Sequence, residues 1–208
     1  MITIEIPHAN PAWKLIMQSG ARLDCTVGIT LSELLRHELA LSDEQLAPVD
    51  TLILDGMPVD EPEKTVVPDN SRLALACALP GIAGLAMKKG SAVRGLRYHI
   101  THGLDESSAP HSGWISLFLY SLTLPQLAGH FLTRGIIVGA DQIIRYARFA
   151  PEDRCHLTLN QRNGADVLAG PGNLNKQETT AAELEKILSG LSGQLPEISC
   201  RLFAEIMS

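Results

Sequence analysis

Residues 51–60 read TLILDGMPVD, and this stretch decides the predicted fold of the first part of the chain. Apolar residues stand on both sides of Asp55-Gly56, and both of these residues tolerate the positive φ angles that a tight two-residue turn requires. We therefore predict a β-hairpin that turns at this pair.

Strands and one helix are predicted around this hairpin. Residues 1–7 alternate isoleucine with polar residues, which is typical of a strand with one buried face. Thr30-Leu31-Ser32-Glu33 is a capping box, so a helix with a leucine stripe is expected to start there. Ser42-Asp43-Glu44-Gln45 repeats the capping pattern and predicts one further helical turn. In chain order we predict strands at 1–7 and 21–27, a helix at 31–39, strands at 51–54 and 65–67, a turn at 68–71 and a strand at 72–78.

This order of elements resembles the β-grasp fold, in particular the ThiS/MoaD-type sulfur carriers of the ubiquitin-like superfamily. Residues 53–59 (ILDGMPV) resemble that family's V-N-G-x-x-V hairpin. Residues 67–75 (VPDNSRLAL) resemble its L-x-D-G-D-x-v-x-l turn, with Asn70 at the usual glycine, and residues 79–84 (LPGIAG) resemble its P-x-x-G-G tail. The resemblance implies an α+β protein with a β-grasp (ubiquitin-like) domain at residues 1–84.

The tail decides which β-grasp activity is expected. In sulfur carriers a glycine carboxylate at the chain terminus is adenylated, whereas about 120 residues follow Gly84 here. A carrier function would therefore require cleavage after Gly84, and it stays as one alternative. A plant-type iron–sulfur site requires four clustered cysteines, and only Cys25 and Cys77 lie in this region. We expect a β-grasp domain that docks a protein partner, acting as a binding or adapter module rather than as an enzyme.

Charge is distributed unevenly along the chain. The net charge is −6, but residues 1–84 carry −7 and residues 85–208 carry +1. An acidic balance of this kind does not favour nucleic acid as the partner. Residues 85–113 are predicted to be a basic linker or arm between two modules. The residues predicted to bind the partner are Gly81, Gly84, Lys88, Lys89, Arg94 and Arg97.

Three histidines lie in this arm and offer a second alternative. His99 and His102 would lie on one side of a helical turn, and His111 could supply a third ligand to a transition metal. A metal-dependent or accessory enzyme would then have its site at this segment. Apart from that metal, no cofactor is predicted.

Residues 114–208 are predicted to form a small α/β module. Residues 114–122 read as a strand, Pro125 starts a helix to Arg134, and a further helix starts at Ala140-Asp141. Residues 156–160 and 165–169 read as a strand pair, a capping box at Thr180 and Glu183 starts a last helix, and residues 197–207 read as a closing strand. Neither a P-loop nor a G-x-S-x-G motif occurs in it. We therefore assign no catalytic residues, and no oligomeric state is predicted.

Cysteine spacing and hydropathy indicate the compartment. The four cysteines are far apart and lack C-x-x-C spacing, so we predict buried, reduced thiols and a cytoplasmic protein. The start of the chain does not resemble a signal peptide, and its uncharged stretches are interrupted by proline and glycine, so no membrane segment is expected.

Overall fold

The computed structural model describes residues 2–6, 10–77, 81–88, 92, 109–159, 177–192 and 199–204. It has mixed helices and strands, which confirms the α+β class. The chain divides into two compact units: unit 1 is Met1–Ser19 with Gly129–Ser208, and unit 2 is Gly20–Ala128. The strands are β1 Ile2–Ile6, β2 Ala21–Val27, β3 Thr51–Leu54, β4 Met57–Pro58, β5 Ser71–Ala76, β6 His111–Tyr120, β7 Ile136–Gly139, β8 Arg154–Leu159, β9 Gln177–Thr180 and β10 Ser199–Ala204. The helices are α1 Pro11–Lys14, α2 Leu31–Glu33, α3 Asp43–Leu46, α4 Gly81–Met87, α5 Thr123–Arg134, α6 Ala140–Ala147 and α7 Ala181–Ser192.

The sheet of unit 2 has the order β4-β3-β5-β6-β2. β5 and β6 are parallel, and the other neighbouring pairs are antiparallel. The predicted hairpin joins β3 to β4, with Asp55 at φ 49° and Gly56 at φ 82°. Asn70 adopts φ 61° in the predicted turn before β5, which confirms the left-handed position there.

One face of this sheet forms the core of unit 2. Successive side chains of a strand point to opposite faces, and on β6 Ile115, Leu117 and Leu119 are completely buried. Leu73 and Leu75 of β5 are buried beside them in register. The apolar half of each strand's alternation therefore builds the core.

The helix after β2 begins at the predicted capping box. The Glu33 amide donates to Thr30 Oγ1 (3.2 Å), and Glu33 Oε2 accepts from the Thr30 amide (2.9 Å). After Glu33 the helix widens into a π-helical turn at Leu34–Glu38, in place of the predicted α-helix to residue 39. The Leu39 amide bonds to the Leu34 carbonyl (2.7 Å), and the leucine stripe is buried as predicted.

Within unit 1 the strands have the order β7-β10-β1-β8-β9. β1 and β10 are parallel, and the remaining pairs are antiparallel. Trp13 of α1 is completely buried, and its indole N–H donates to Asp153 Oδ2 (2.9 Å). The predicted capping box at Thr180 and Glu183 opens α7.

The strands of the two units have the same pattern of directions. Read from the hairpin edge, unit 2 is β4-β3-β5-β6-β2 and unit 1 is β9-β8-β1-β10-β7, with one central parallel pair in each. The connections also correspond, since a helix follows β2 and β7 before the next two strands. The difference is that β1, from the start of the chain, occupies the place in unit 1 that β5 occupies in unit 2.

The division into units does not coincide with the predicted boundaries after Gly84 and before Trp114. The reason is long-range strand pairing, because β6 pairs with β2 and β5, whereas β1 pairs with β8 and β10. Within the predicted arm at 85–113, α4 extends to Met87 and β6 begins at His111. The predicted strand at 165–169 lies outside the described residues.

Candidate functional site

The face of the unit 2 sheet opposite the core carries aromatic and arginine side chains. Ser116 of β6 lies in register with Arg22 of β2 on one side and with Arg72 of β5 on the other. We call this surface the aromatic face, and it consists of Arg22, Arg72, Trp114, Ser116, Phe118 and Tyr120. All six side chains are half-buried or exposed, and Tyr120 is 37% exposed.

Each arginine of the aromatic face lies over a ring. The Arg22 guanidinium carbon is 4.7 Å from the centre of the Trp114 ring, and that of Arg72 is 5.1 Å from the centre of Phe118. These distances are within the range of cation–π attraction. Phe118 also stacks against Tyr120, with 6.3 Å between ring centres. The face is therefore an ordered patch and not a set of independent surface residues.

Two backbone features hold the rings in position. Asp69 Oδ1 accepts from the Trp114 amide (2.9 Å) and from the Asn70 amide (2.9 Å), which ties the start of β6 to the turn before β5. Gly20 lies directly beneath Phe118, because a Cβ at this position would be 2.5 Å from the ring. Gly20 also adopts φ 88°, so both the space and the backbone conformation favour glycine.

The predicted partner-binding residues lie on α4 or beyond it. Gly81 begins α4 and Gly84 lies within it, so residues 81–84, the described part of the segment likened to a carrier tail, are helical. Lys88 Nζ forms an ion pair with Asp50 Oδ2 (2.8 Å), within unit 2. A surface pair of this kind contributes at most about 1 kcal/mol. Lys89, Arg94 and Arg97 lie outside the described residues.

The predicted metal site is described only at one ligand. His111 is exposed at the start of β6, with its ring Nδ1 3.0 Å from the Ala109 carbonyl oxygen. His99 and His102 lie outside the described residues. Among the residues that are described, no group of three or more His, Cys, Asp or Glu side chains could hold a metal ion. The metal-dependent enzyme and the carrier that requires cleavage after Gly84 stay predictions.

The described cysteines are buried thiols, as the sequence predicts. Cys25, Cys77 and Cys155 are buried and form no disulfide among the described residues. Burial and the nearby Asp153 carboxylate raise the pKa of Cys155 to about 12, so its thiol stays protonated at neutral pH. Burial also raises the pKa of Cys77. Neither environment favours a thiolate nucleophile.

Unit 2 also has two concavities away from the aromatic face. A crevice of about 120 Å³ lies beside the π-helical turn and is lined by Leu35, Leu46 and Leu52 among others, with Arg36 at its wall paired to Asp43. A wider concavity of about 530 Å³ is lined by residues 28–30, 33, 66 and 109–110, and among these described residues Glu33 is the one with an ionisable side chain. Its carboxylate already closes the helix cap, so this lining offers no pair of acid and base.

The sequence pattern by itself does not single out the aromatic face. The alternation in residues 114–120 predicts the strand but gives Trp114, Phe118 and Tyr120 no role beyond being part of it. The available signal was that one half of the alternation is aliphatic and the other half aromatic or polar. The contribution of Arg22 and Arg72 depends on strand register, which a single sequence does not reveal.

Comparison of the chain with protein-family models, with curated proteins and with solved structures finds no match. Within the described residues, no helix has the length and apolar character needed to cross a membrane.

Proposed function

We propose that the chain is a non-catalytic binding or adapter protein that docks a protein partner on the aromatic face of unit 2. One observation carries the proposal: Trp114, Phe118 and Tyr120 lie on one strand, and two of these rings, Trp114 and Phe118, each have an arginine over them. Tryptophan, tyrosine and arginine are the residues that most often dominate the binding energy of protein interfaces. Their rings are ordered before binding, which lowers the entropy lost on association.

The strand order supports a β-grasp reading of unit 2. The resemblance implies a sheet whose central strands are parallel, with a helix packed on one face and a short hairpin at the edge. The order β4-β3-β5-β6-β2 has these properties if β6, rather than residues 2–6, takes the place of the first strand. In this reading the helices cover the core face, and the aromatic face is the side left for a partner. We propose a cytoplasmic setting, in keeping with the free cysteines.

The charge of unit 2 supports a protein as the partner. Residues 20–128 contain eight basic and thirteen acidic side chains, a net charge of −5. Nucleic-acid binding draws most of its affinity from neutralising phosphates, so a surface with this balance lacks the usual source of attraction. A protein interface instead gains from aromatic area and from a small number of paired charges.

Site-specific photo-crosslinking in native cells tests the proposal. A photo-reactive phenylalanine analogue is placed at Tyr120, on the face, and in a matched chain at Phe149, which is 67% exposed in unit 1. We expect a protein to crosslink from position 120 and not from position 149. The identified partner should then bind the purified chain, with Tyr120→Ala raising the dissociation constant at least tenfold and Phe149→Ala leaving it unchanged.

Two results would contradict the docking function. One is the same set of crosslinked proteins from both positions, which is the pattern of random collisions. The other is a purified partner that binds wild-type and Tyr120→Ala chains equally. Tyr120 is exposed and is the last residue of β6, so its replacement should leave the fold intact. A far-UV circular dichroism spectrum checks this.

A further inference from the structure

This inference rests on the proposed function and concerns the chemistry of the partner. The two arginines of the aromatic face differ in their charge environment. Arg22 forms an ion pair with Asp24 (2.9 Å), so that its charge is compensated on the face itself. Arg72 is exposed and makes no ion pair with any residue that the structure describes, although its backbone N–H donates to Asp55 Oδ1 (2.7 Å). Arg72 is therefore the cation of the face available to an incoming anion.

An apolar floor lies beside the Arg72 guanidinium. Phe118 is under it, and Ala74 lies in register with Phe118 on one side and with Ile53 on the other. Ala74 and Ile53 are half-buried, so part of their surface is open to contact. A cation at the edge of an apolar surface suits a ligand that has an acidic group next to an apolar side chain.

We propose that the partner segment docked on the aromatic face carries an aspartate or glutamate that pairs with Arg72, next to an apolar side chain that contacts Phe118, Ala74 and Ile53. A planar guanidinium can bind a carboxylate through two parallel hydrogen bonds, which gives orientation as well as energy. Because Arg72 is already held over Phe118, little side-chain freedom is lost when the pair forms. A polyanion is disfavoured by the carboxylates of Asp24, Asp55 and Asp69 on neighbouring turns and strands.

The probe is a phage-displayed library of random peptides, selected on the full-length protein. Peptides whose binding is weakened by Tyr120→Ala are taken as directed to the aromatic face. Among these we expect enrichment of aspartate and glutamate next to an apolar residue. Arg72→Ala should weaken them at least tenfold, and Arg72→Glu should bind peptides in which the acidic residue is replaced by lysine. The matched control is Arg154→Ala/Glu178→Ala, which removes a compensated ion pair of unit 1 that is not part of the aromatic face and should change affinity less than threefold.

The outcomes separate this inference from the docking function. Face-directed peptides without acidic enrichment, or with equal affinity for Arg72→Ala, would overturn the acidic partner and leave the docking function standing. A selection that yields no peptide sensitive to Tyr120→Ala would count against both. Tighter binding of a single-stranded thymidine oligonucleotide at the same face would also overturn the inference. Arg72→Lys, which keeps the charge but not the planar contact, should show an intermediate loss and guards against a folding defect in the alanine variant.

Discussion

Replacing Gly113 with alanine is expected to lower the free energy of unfolding of unit 2 by about 3 kcal/mol. The added Cβ would lie 2.4 Å from Asp69 Oδ1 and 2.6 Å from Val27 Cγ2. Ordinary contacts between carbon atoms lie at roughly 3.5–4.0 Å. Since Gly113 does not adopt a positive φ, the cost comes from this overlap and not from the backbone conformation.

The size of the effect follows from what the Asp69 carboxylate must give up. Its Oδ1 accepts from the amides of Asn70 and Trp114, both at 2.9 Å. Moving it away from the new methyl group weakens these two bonds, and a hydrogen bond to a charged group contributes about 1.5–3 kcal/mol. Asp69→Ala alone should therefore cost about 2–3 kcal/mol. When Asp69 is already alanine, Gly113→Ala should lower the free energy of unfolding by only about 1 kcal/mol, because the added Cβ then overlaps only the Val27 methyl group.

Urea unfolding followed by Trp114 fluorescence measures these values. The chain has two tryptophans, so a Trp13→Phe background leaves Trp114 as the reporter of unit 2. Gly129→Ala in α5 is the control, because a Cβ there meets nothing within 4 Å. By circular dichroism it should stabilise the helix by about 0.5–1 kcal/mol.

An additive double mutant would refute this reasoning. If Gly113→Ala costs the same with and without the Asp69 carboxylate, the two residues do not interact through the proposed overlap. A stability of Gly113→Ala equal to that of the wild type would refute the overlap itself.

Three further predictions concern the caps and the buried groups. Asp153→Ala removes the acceptor of the buried Trp13 indole N–H and should cost about 1–3 kcal/mol in urea unfolding followed by Trp13 fluorescence. Hydrogen bonds from the capping threonines lower the pKa of Glu33 and Glu183 below the usual 4.5, so their contribution is present above pH 4.5 and is lost as pH falls through the lower folded values. The free energy of unfolding of Glu33→Gln should therefore fall less than that of the wild type as the pH is lowered from 7 to about 3. Identical pH dependence of the two proteins would contradict this. Cys155, with a pKa of about 12, should react with iodoacetamide at pH 8 only as unit 1 opens, so mass spectrometry should find slow labelling that urea accelerates.

Local features of the fold could be predicted from the sequence. The capping boxes at Thr30, Ser42 and Thr180 all form, because each needs only a contact between residues three apart. The Asp55-Gly56 hairpin and the left-handed Asn70 also follow from the conformational preferences of those residues. The π-helical turn after Glu33 could not be predicted in this way, because the leucine spacing fits an α-helix equally well.

The candidate site was less predictable than the fold. The residue types indicate the glycines and cations around α4 and three histidines as candidate site residues. Of the predicted cations, Lys88 is already paired with Asp50. The aromatic face instead joins β2, β5 and β6, strands that are separated by many residues along the chain. A surface assembled in this way depends on strand order and register, which nearest-neighbour patterns do not encode.

The sequence by itself determined the class of the fold, the turns, the caps and which side of each strand is apolar, since these depend on alternation and on contacts a few residues apart. Only the tertiary structure decided that β6 lies between β5 and β2, while residues 2–6 pair with β8 and β10. Apolar strands of similar pattern can exchange places in a sheet at little local cost, so the choice depends on packing over the whole chain. That choice brings Arg22, Arg72 and the rings of β6 onto one surface.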